Sequence, residues 1–566
     1  MILTESDIKK IILENPNKAL IQAGRLYNKE MRKHLYGENL EAALLTIEGY
    51  EKESLRNLRV KYAKSNKDVF NRLSRPIDKV FSARGGSVYY NLPETQEKKA
   101  RALAMDVKGG MSVSKWVNSH WTPHYKDDPY GITFIEIEEQ QKAVLLYSKG
   151  KSAVYPTYKS IQCIYDYQPN GSTFEYIVFV VGNKDKVDAG FNPEDKVFRV
   201  VDDAMDYYVK QDGENVSIVT DKSIPNYFGY VPAIVNSDIP DPTREHGRLS
   251  IFDEILEVAN NFLMKGSIKL TYEFLFAFPK YWQYAADCKK CNGTKYVGAE
   301  ECTECKGTGK AINSFVSDSM HIKVPKDKDD AVITPDVAGY VTPPKDYYDI
   351  STHDLQLYED MMHYTLWGAS NIPKTAGTAT DASGPTKTAT EITNEIKPQS
   401  DRLEPISECA QKVHKFILDA VVKIQVNQSY PGASVNYGKR YMIESPDAIW
   451  DKYSKARKDG AACSVLDDLL IEYYESKYNS DPVKLAIQMK LMRVEPFVHQ
   501  TVQQLKGLGA GDDDYKAKLY FGEWLSTINE AMVISMSAED LRKSMYDYTG
   551  LRSLAAPEPK QISAAA

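Results

Sequence analysis

Cys288-Lys-Lys-Cys291 and Cys302-Thr-Glu-Cys305 are two CxxC pairs separated by ten residues. Each pair turns two thiolates toward one point, so together they supply four sulfur ligands for one tetrahedral ion, and sulfur ligation selects zinc. All four positions are Cys, which leaves no place open for water, and no HExxH or His-x-Glu element lies nearby. The expected site is therefore structural rather than catalytic, with one Zn2+ per subunit. Asn292-Gly293-Thr294 and Lys306-Gly307-Thr308-Gly309 follow the two pairs. Glycine there lets the backbone turn so that N–H groups point back at the sulfurs. Lys289, Lys290, Lys306 and Lys310 offset the excess thiolate charge. In finger peptides such a site contributes roughly 10–16 kcal/mol of apparent binding energy, enough to fold a short hairpin that has no core of its own.

The second pair, CTECKGTG, resembles the CxxCxGxG repeat in the zinc domain of DnaJ-type co-chaperones. The first, CKKCNGTK, has Lys295 where the second Gly would stand. One pair of repeats is present and there is no His-Pro-Asp tripeptide. The resemblance implies a zinc hairpin over 288–309 and nothing further.

Other tests for chemistry give negative answers. The loop GTATDASGPTKT (377–388) has Gly384 and Lys387 separated by Pro-Thr, whereas a P-loop needs the Lys directly after its second Gly. The nine His are scattered and no GxSxG occurs. His363 and His414 lie on helical patterns and read as packing or interface residues. No catalytic centre is expected.

The elements that must position the cysteines follow from pattern. Residues 1 to about 125 read as helical, with Leu20, Tyr27, Met31 and Leu35 at helical spacing. From Gly131 the pattern changes to short strands, ITFIEIE (132–138), AVLLY (143–147), FEYIVFVV (174–181) and VSIVT (216–220), separated by turn residues. The fold class is α+β. After PDPTREHG (240–247), Ser250 and Asp253 resemble a capping box opening a helix that runs to about Ala277. The irregular stretch 280–346 holds the cysteines, and a second helix follows over about 351–367. Ser464 to Met492 is helical, with an interruption near Asp481-Pro482, and the tail after 555 is low in complexity.

Between these elements lies SNIPKTAGTATDASGPTK (370–387), which feeds a long periodic segment. Ile392, Ile396, Leu403, Ile406, Val413 and Ile417 advance along it in helical steps, a narrow seam of the kind used against a neighbouring helix or subunit. Pro398 and Pro405 predict kinks or a short break near Lys397 and Glu404.

Composition bounds the partners. Net charge is −7, which argues against a tight nucleic-acid binder. Tyr outnumbers Phe and Trp (38 against 17 and 6), as on large half-wet contact surfaces. The longest apolar runs are too short to span a bilayer, and no signal peptide is visible, so synthesis in a cytosol is expected. Seven Cys in such a compartment point to metal rather than disulfides.

Two stretches, NYFGYVPAIVNSDIPDPTREHGRLSIFDEILEVANNFL (226–263) and NIPKTAGTATDASGPTKTATEITNE (371–395), together with the order of elements, are similar to tailed-bacteriophage portal proteins. In the first, Gly247, Ser250, Asp253 and Ile255 are similar to the opening of the stem helix, with Gly and Ser one residue further apart than in the family pattern. In the second, a loop precedes Thr-Ala-Thr-Glu. The resemblance implies a portal fold, mainly helical: a wing over 1–245, a stem helix over 246–278 and a clip over 279–346. It continues with a second stem helix over 347–370, a tunnel loop over 371–387, a kinked wing helix over 388–435 and a crown over 436–555. The segment 556–566 would be a disordered tail.

It further implies a homo-oligomeric ring, normally of twelve subunits, at one vertex of the virion capsid, made in the host bacterial cytoplasm. Double-stranded DNA would pass through without sequence specificity, and the major capsid protein, the terminase large subunit and a head–tail adaptor would be partners, with no membrane. In the loop, Lys374 and Lys387 would touch phosphates, and Thr375, Thr378 and Thr380 would offer neutral hydroxyls. The zinc hairpin departs from this pattern, since most portals lack one. The competing class is a host cytosolic zinc protein, nucleic-acid-processing or DnaJ-like.

Overall fold

The apolar run Phe174–Val181 is nearly continuous because both faces of its strand are covered, a pattern that strict alternation cannot give. The computed structural model describes all residues except 48, 50, 84, 139–145, 147, 148, 150, 278, 279, 286, 312–318, 324–337, 342–344, 369–388, 440, 442–445, 479, 480, 508–510 and 552–566. The chain is α+β and divides into two units, Met1–Tyr441 and Met442–Ala566.

In the first unit an antiparallel meander orders Ile164–Asn170, Thr173–Val180, Lys196–Val201, Met205–Asp212 and Asn215–Ile218, with Ile224–Pro225 also on Met205–Asp212. Tyr176 and Val178 pack against Ile8, Ile11 and Ile12 of the first helix, Glu5–Glu14. Ile177 and Phe179, on the opposite face, meet Ile132, Phe134 and Ala233 of a second sheet ordered Ala233–Val235, Ile132–Ile137, Val154–Lys159. Pro156 is tolerated because its strand is at the edge. Arg199 joins the two sheets, donating to Asp206 at 2.7 Å and to Glu136 at 2.9 Å. Burial alone would raise Glu136, but Arg199 and Lys159 override it and hold the carboxyl down at about 2.

The expected capping box at Ser250 is closed by a third party. The Tyr27 hydroxyl accepts from the Ser250 amide at 3.0 Å and donates to the Asp253 carboxylate at 2.8 Å. Ser250 Oγ instead donates to the Lys126 carbonyl at 2.6 Å. A tertiary contact has replaced the local one. A short 3-10 turn, Asp253–Ile255, then opens the helix Leu256–Ala277.

That helix and Lys345–Trp367 form an antiparallel hairpin. Lys265 pairs with Asp354 at 2.5 Å, Gly266 lies against Leu355, and the rings of Tyr272 and Tyr347 are 4.7 Å apart. The base of the hairpin is set in the main core with Phe252, Ile255, Met362, Leu366 and Trp367. Trp367 is fully buried and donates its indole N–H to the Leu73 carbonyl at 3.0 Å. Between the two helices, Lys280–Ala285 pairs in parallel with Ser319–Lys323 and antiparallel with Ala338–Val341.

The long periodic segment is one helix, Ala389–Gln425, with Pro398 and Pro405 inside it. The short break expected near Lys397 and Glu404 does not occur. Each Pro removes a single N–H, and Leu403 and Ile406, both buried, pin the helix around Pro405. Gly368, at φ 68°, ends the preceding helix where an added Cβ would come within 2.8 Å of the Pro398 ring. The seam is also not narrow. Leu403, Ile406, Val413 and Ile417 are buried in the chain's own core, together with Cys409, Leu418, Val421 and Val422 on neighbouring stripes. They are spent inside the molecule and cannot face another subunit. The helix at Ile392 and Ile396 belongs to this element, but their side chains fall outside the described residues.

The second unit is helical, from Pro446–Lys458 to Ala538–Gly550. One core gathers Leu491, Trp524, Leu541 and Met545, and another Tyr453, Leu466 and Leu470. His499 joins Tyr453 at 3.1 Å and Asp467 at 2.9 Å. Among the described residues no helix is long and apolar enough to cross a membrane.

His414 is a packing residue: it is buried, and its Nδ1 lies 2.9 Å from the Tyr437 hydroxyl. Burial pushes its pKa down to about 4. A histidine depressed in the fold contributes its full stability above the unfolded value near 6.5 and loses it as pH falls toward 4. At pH 5 the loss from His414 is about 2 kcal/mol. Denaturant unfolding at pH 7 and pH 5 is expected to show His414→Gln with a correspondingly shallower pH dependence. His34, held neutral by burial, retains a share of the slope. An unchanged slope in the variant would refute the assignment.

Candidate metal centre

Cys288, Cys291, Cys302 and Cys305 are all buried, and their Sγ atoms all lie within 4.8 Å of one another. Cys288 and Cys302 are 3.9 Å apart at sulfur, and Cys291 and Cys305 3.6 Å. A disulfide would need about 2.0 Å. Four sulfurs each about 2.3 Å from one ion stand about 3.8 Å apart at tetrahedral angles. The four thiols therefore fit a tetrahedral ion, and they make up a separate small core within the insert.

The hairpin that holds them repeats itself with an offset of 14 residues, the separation of both sulfur pairs. The Cys288 amide donates to the Gly309 carbonyl at 3.0 Å, and the Cys302 amide to the Lys295 carbonyl at 2.9 Å. Thr294 and Thr308 donate their hydroxyls to the carbonyls of Cys291 and Cys305. Asp287 bridges to Lys310, while Glu301 pairs across the ladder with Tyr296. Every one of these contacts has its partner 14 residues on, so a pseudo-twofold relates the two knuckles. Asp287 and Lys310 also form an ion pair of 2.7 Å at the base.

The Lys295 departure from the glycine pattern sits at an equivalent turn. Lys295 takes φ 73° where Gly309 takes φ 75°. Gly309 has no alternative, because a Cβ there would lie 2.8 Å from the Gly293 carbonyl oxygen. Its amide donates to Cys305 Sγ at 3.2 Å. Burial raises the Cys305 thiol, but this amide and the neighbouring thiols bring it down to about 7. Burial and the contact with Cys305 push Cys291 up to about 11, against the pull of the Lys295 and Gly293 amides. The amides thus favour thiolate in the pocket, the form in which sulfur ligates metal.

The structure brings together all four predicted cysteines. Lys374, Thr375, Thr378, Thr380 and Lys387 lie outside the described residues. Thr294, Thr308 and the Asp287–Lys310 pair are contributors that ligand spacing alone does not reveal; the 14-residue internal repeat was the available signal. No protein-family model matches this chain, and no curated protein matches it.

Lys295 bears left-handed strain that glycine would not, offset in part by glycine's greater freedom when unfolded. Lys295→Gly is expected to slow hydrogen exchange of the Cys302 amide roughly threefold. Gly309→Ala is expected to abolish protection at Cys288. Equal exchange in both variants and the wild type would remove the strain argument.

Proposed function

We propose that this chain is a portal protein of a tailed bacteriophage, with the four cysteines holding one structural Zn2+ per subunit. Twelve copies form a ring at one capsid vertex of the virion, assembled in the host bacterial cytoplasm. The ring is a conduit and not an enzyme. Double-stranded DNA passes through it under the drive of a separate terminase. The major capsid protein surrounds the wing, and the insert between the stem helices receives the terminase large subunit and later the head–tail adaptor.

The observation that carries this reading is the antiparallel pair Leu256–Ala277 and Lys345–Trp367. Its base is locked in the core, its far end carries the whole insert, and it is followed by the segment 369–388 and the long helix. One side of Lys345–Trp367 leaves Ile350, Leu357, Met361 and Tyr364 between 44% and 62% exposed, at steps of seven, four and three. Such a stripe is costly in an isolated chain and is what a neighbouring stem in a ring would cover. The core-buried seam of the long helix cannot serve that purpose, so subunit contact is assigned to the stem. A net charge of −7 suits a channel that lets DNA slide.

Negative-stain microscopy of the purified chain is expected to show rings with a central hole; a homogeneous monomer or dimer sinks the proposal. Native mass spectrometry is expected to find one zinc per subunit, lost in the double variant Cys288→Ser, Cys305→Ser. Absence of metal from wild-type protein purified without chelator would refute the zinc assignment and leave the ring reading standing.

A further inference from the structure

The apolar stripe on Lys345–Trp367 cannot close a ring by meeting its own copy. Stripe against stripe is a twofold contact that stops at a dimer, whereas a ring needs two different surfaces that fit each other. The far side of the partner helix, Leu256–Ala277, carries a candidate. Lys265, Lys269 and Tyr272 of that helix face Lys345–Trp367, meeting Asp354, the Tyr348 ring and the Tyr347 ring. Met264, Ser267 and Phe274 instead face the helix Glu53–Tyr62. Arg59 donates to Met264 Sδ at 3.2 Å and to Ser267 Oγ at 3.1 Å, and the Tyr62 and Phe274 rings are 4.5 Å apart. At about 100° per residue the two sets are centred roughly 150° apart. Leu256–Ala277 is therefore the middle of three layers, with Glu53–Tyr62 on the side away from Lys345–Trp367.

That flank is apolar at its centre and basic beside it. Leu45, Tyr62 and Phe274 are 65%, 40% and 39% exposed. Lys61, Lys64 and Lys67 are exposed next to them, Lys61 resting on the Tyr62 ring. The chain runs down the helical hairpin here, from Tyr62 against Phe274 to Asn66, which donates to the Ala259 carbonyl at 2.7 Å. Lys265 is level with Asp354 and Tyr272 with Tyr347, so Phe274 is level with the start of Lys345–Trp367 and Ala259 with Met361. Lys61 to Lys67 thus cover the heights of the stripe. The stripe is flanked by acid at the end away from Trp367, where Asp346 and Asp349 are exposed. Among the described residues none of these three lysines and two aspartates has an ion pair. Charges of the other sign are fewer or turned away. Lys345 lies about 100° further round its helix from the stripe than Asp346. Glu53 is at the opposite end of its helix from Tyr62, and Asp68 is the single acid in Lys61 to Asp68.

We propose that Ile350, Leu357, Met361 and Tyr364 of one copy pack on Leu45, Tyr62 and Phe274 of the next, with Asp346 and Asp349 set against Lys61 and Lys64. The inference rests on the ring reading and names the surface that the stripe meets. A second copy is selected as the occupant because the two flanks are both apolar, differ in the sign of their charge and stand at the same height. Rotation about an axis along the helical hairpin brings equal heights together, flank against opposite flank, which is a head-to-tail contact. A DNA backbone would answer the lysines but leave Leu45 and the whole stripe in water.

The test is made on the full-length chain, with a melting curve of every variant as the control for an intact fold. A photo-activatable benzoylphenylalanine in place of the exposed Leu357 is expected to cross-link into residues 45–67 of another chain, read by mass spectrometry of mixed heavy- and light-isotope subunits. Asp346→Lys with Asp349→Lys, or Lys61→Asp with Lys64→Asp, is expected to weaken subunit association roughly tenfold at low salt, read by sedimentation. All four substitutions in one chain exchange the charges and are expected to restore association. Cross-links from position 357 to Lys345–Trp367 of another copy make the contact a twofold and overturn the proposal. Rings whose cross-links fall elsewhere, and which neither reversal weakens, overturn this contact and leave the ring standing. A wild-type monomer overturns both. Loss of DNA retention in the lysine variant with rings unaffected assigns the lysines to DNA and overturns the contact.

Discussion

Trp367 is where the first unit is tied together. Its indole is fully buried, its N–H is on the Leu73 carbonyl, and the residue after it is the glycine that lets Pro398 approach. The helical hairpin, the helix carrying Leu73 and the long helix all meet at that point. Deleting an aromatic of this size from a packed core costs about 3–5 kcal/mol, so small movements there are resisted. The hairpin can therefore carry an insert at its far end without its base giving way. The same constraint explains the second proline. A helix held from Leu403 onward by buried side chains can lose the amide donor at Pro405 and remain one element.

A second organising feature is the division between contacts that hold the chain together and surfaces left over. The long helix gives its apolar stripe to the core, as do both faces of the strand Thr173–Val180. The helix Lys345–Trp367 does not: its base is buried and its outer side is apolar and exposed. The ring reading depends on this asymmetry more than on any motif, because it separates apolar residues with an intramolecular use from those without one. The acidic balance of the chain is consistent with a surface that meets DNA in passing.

Much of this was legible in the residues. Two CxxC pairs announced four converging sulfurs, since the chemistry needs those residues at that spacing. The change from helical to strand pattern near Gly131 was visible, as were the helices flanking the insert and the interruption at Asp481-Pro482. Other features depended on contacts that a linear pattern does not carry. Val154–Lys159 contains Pro156 and was hidden until its edge position in the sheet was known. Lys196–Val201 has buried residues on both faces and shows no clean alternation. Ser250 and Asp253 formed their cap only with the help of Tyr27, more than 200 residues away. The seam of the long helix was correctly periodic, but periodicity says that a face is buried and not against what.

The pseudo-twofold of the cysteine hairpin bears on how it forms. Each knuckle donates the amide of its first cysteine to a carbonyl at the end of the other knuckle, so neither half completes its turn without its mate. Assembly of the hairpin is then all-or-none. A half-site holding two sulfurs has lost both crossing hydrogen bonds as well as half its ligands, and it has no buried apolar surface to fall back on. Such intermediates should be scarce at equilibrium, and the insert should switch between ordered and disordered as a single cooperative unit, independently of the domain that carries it.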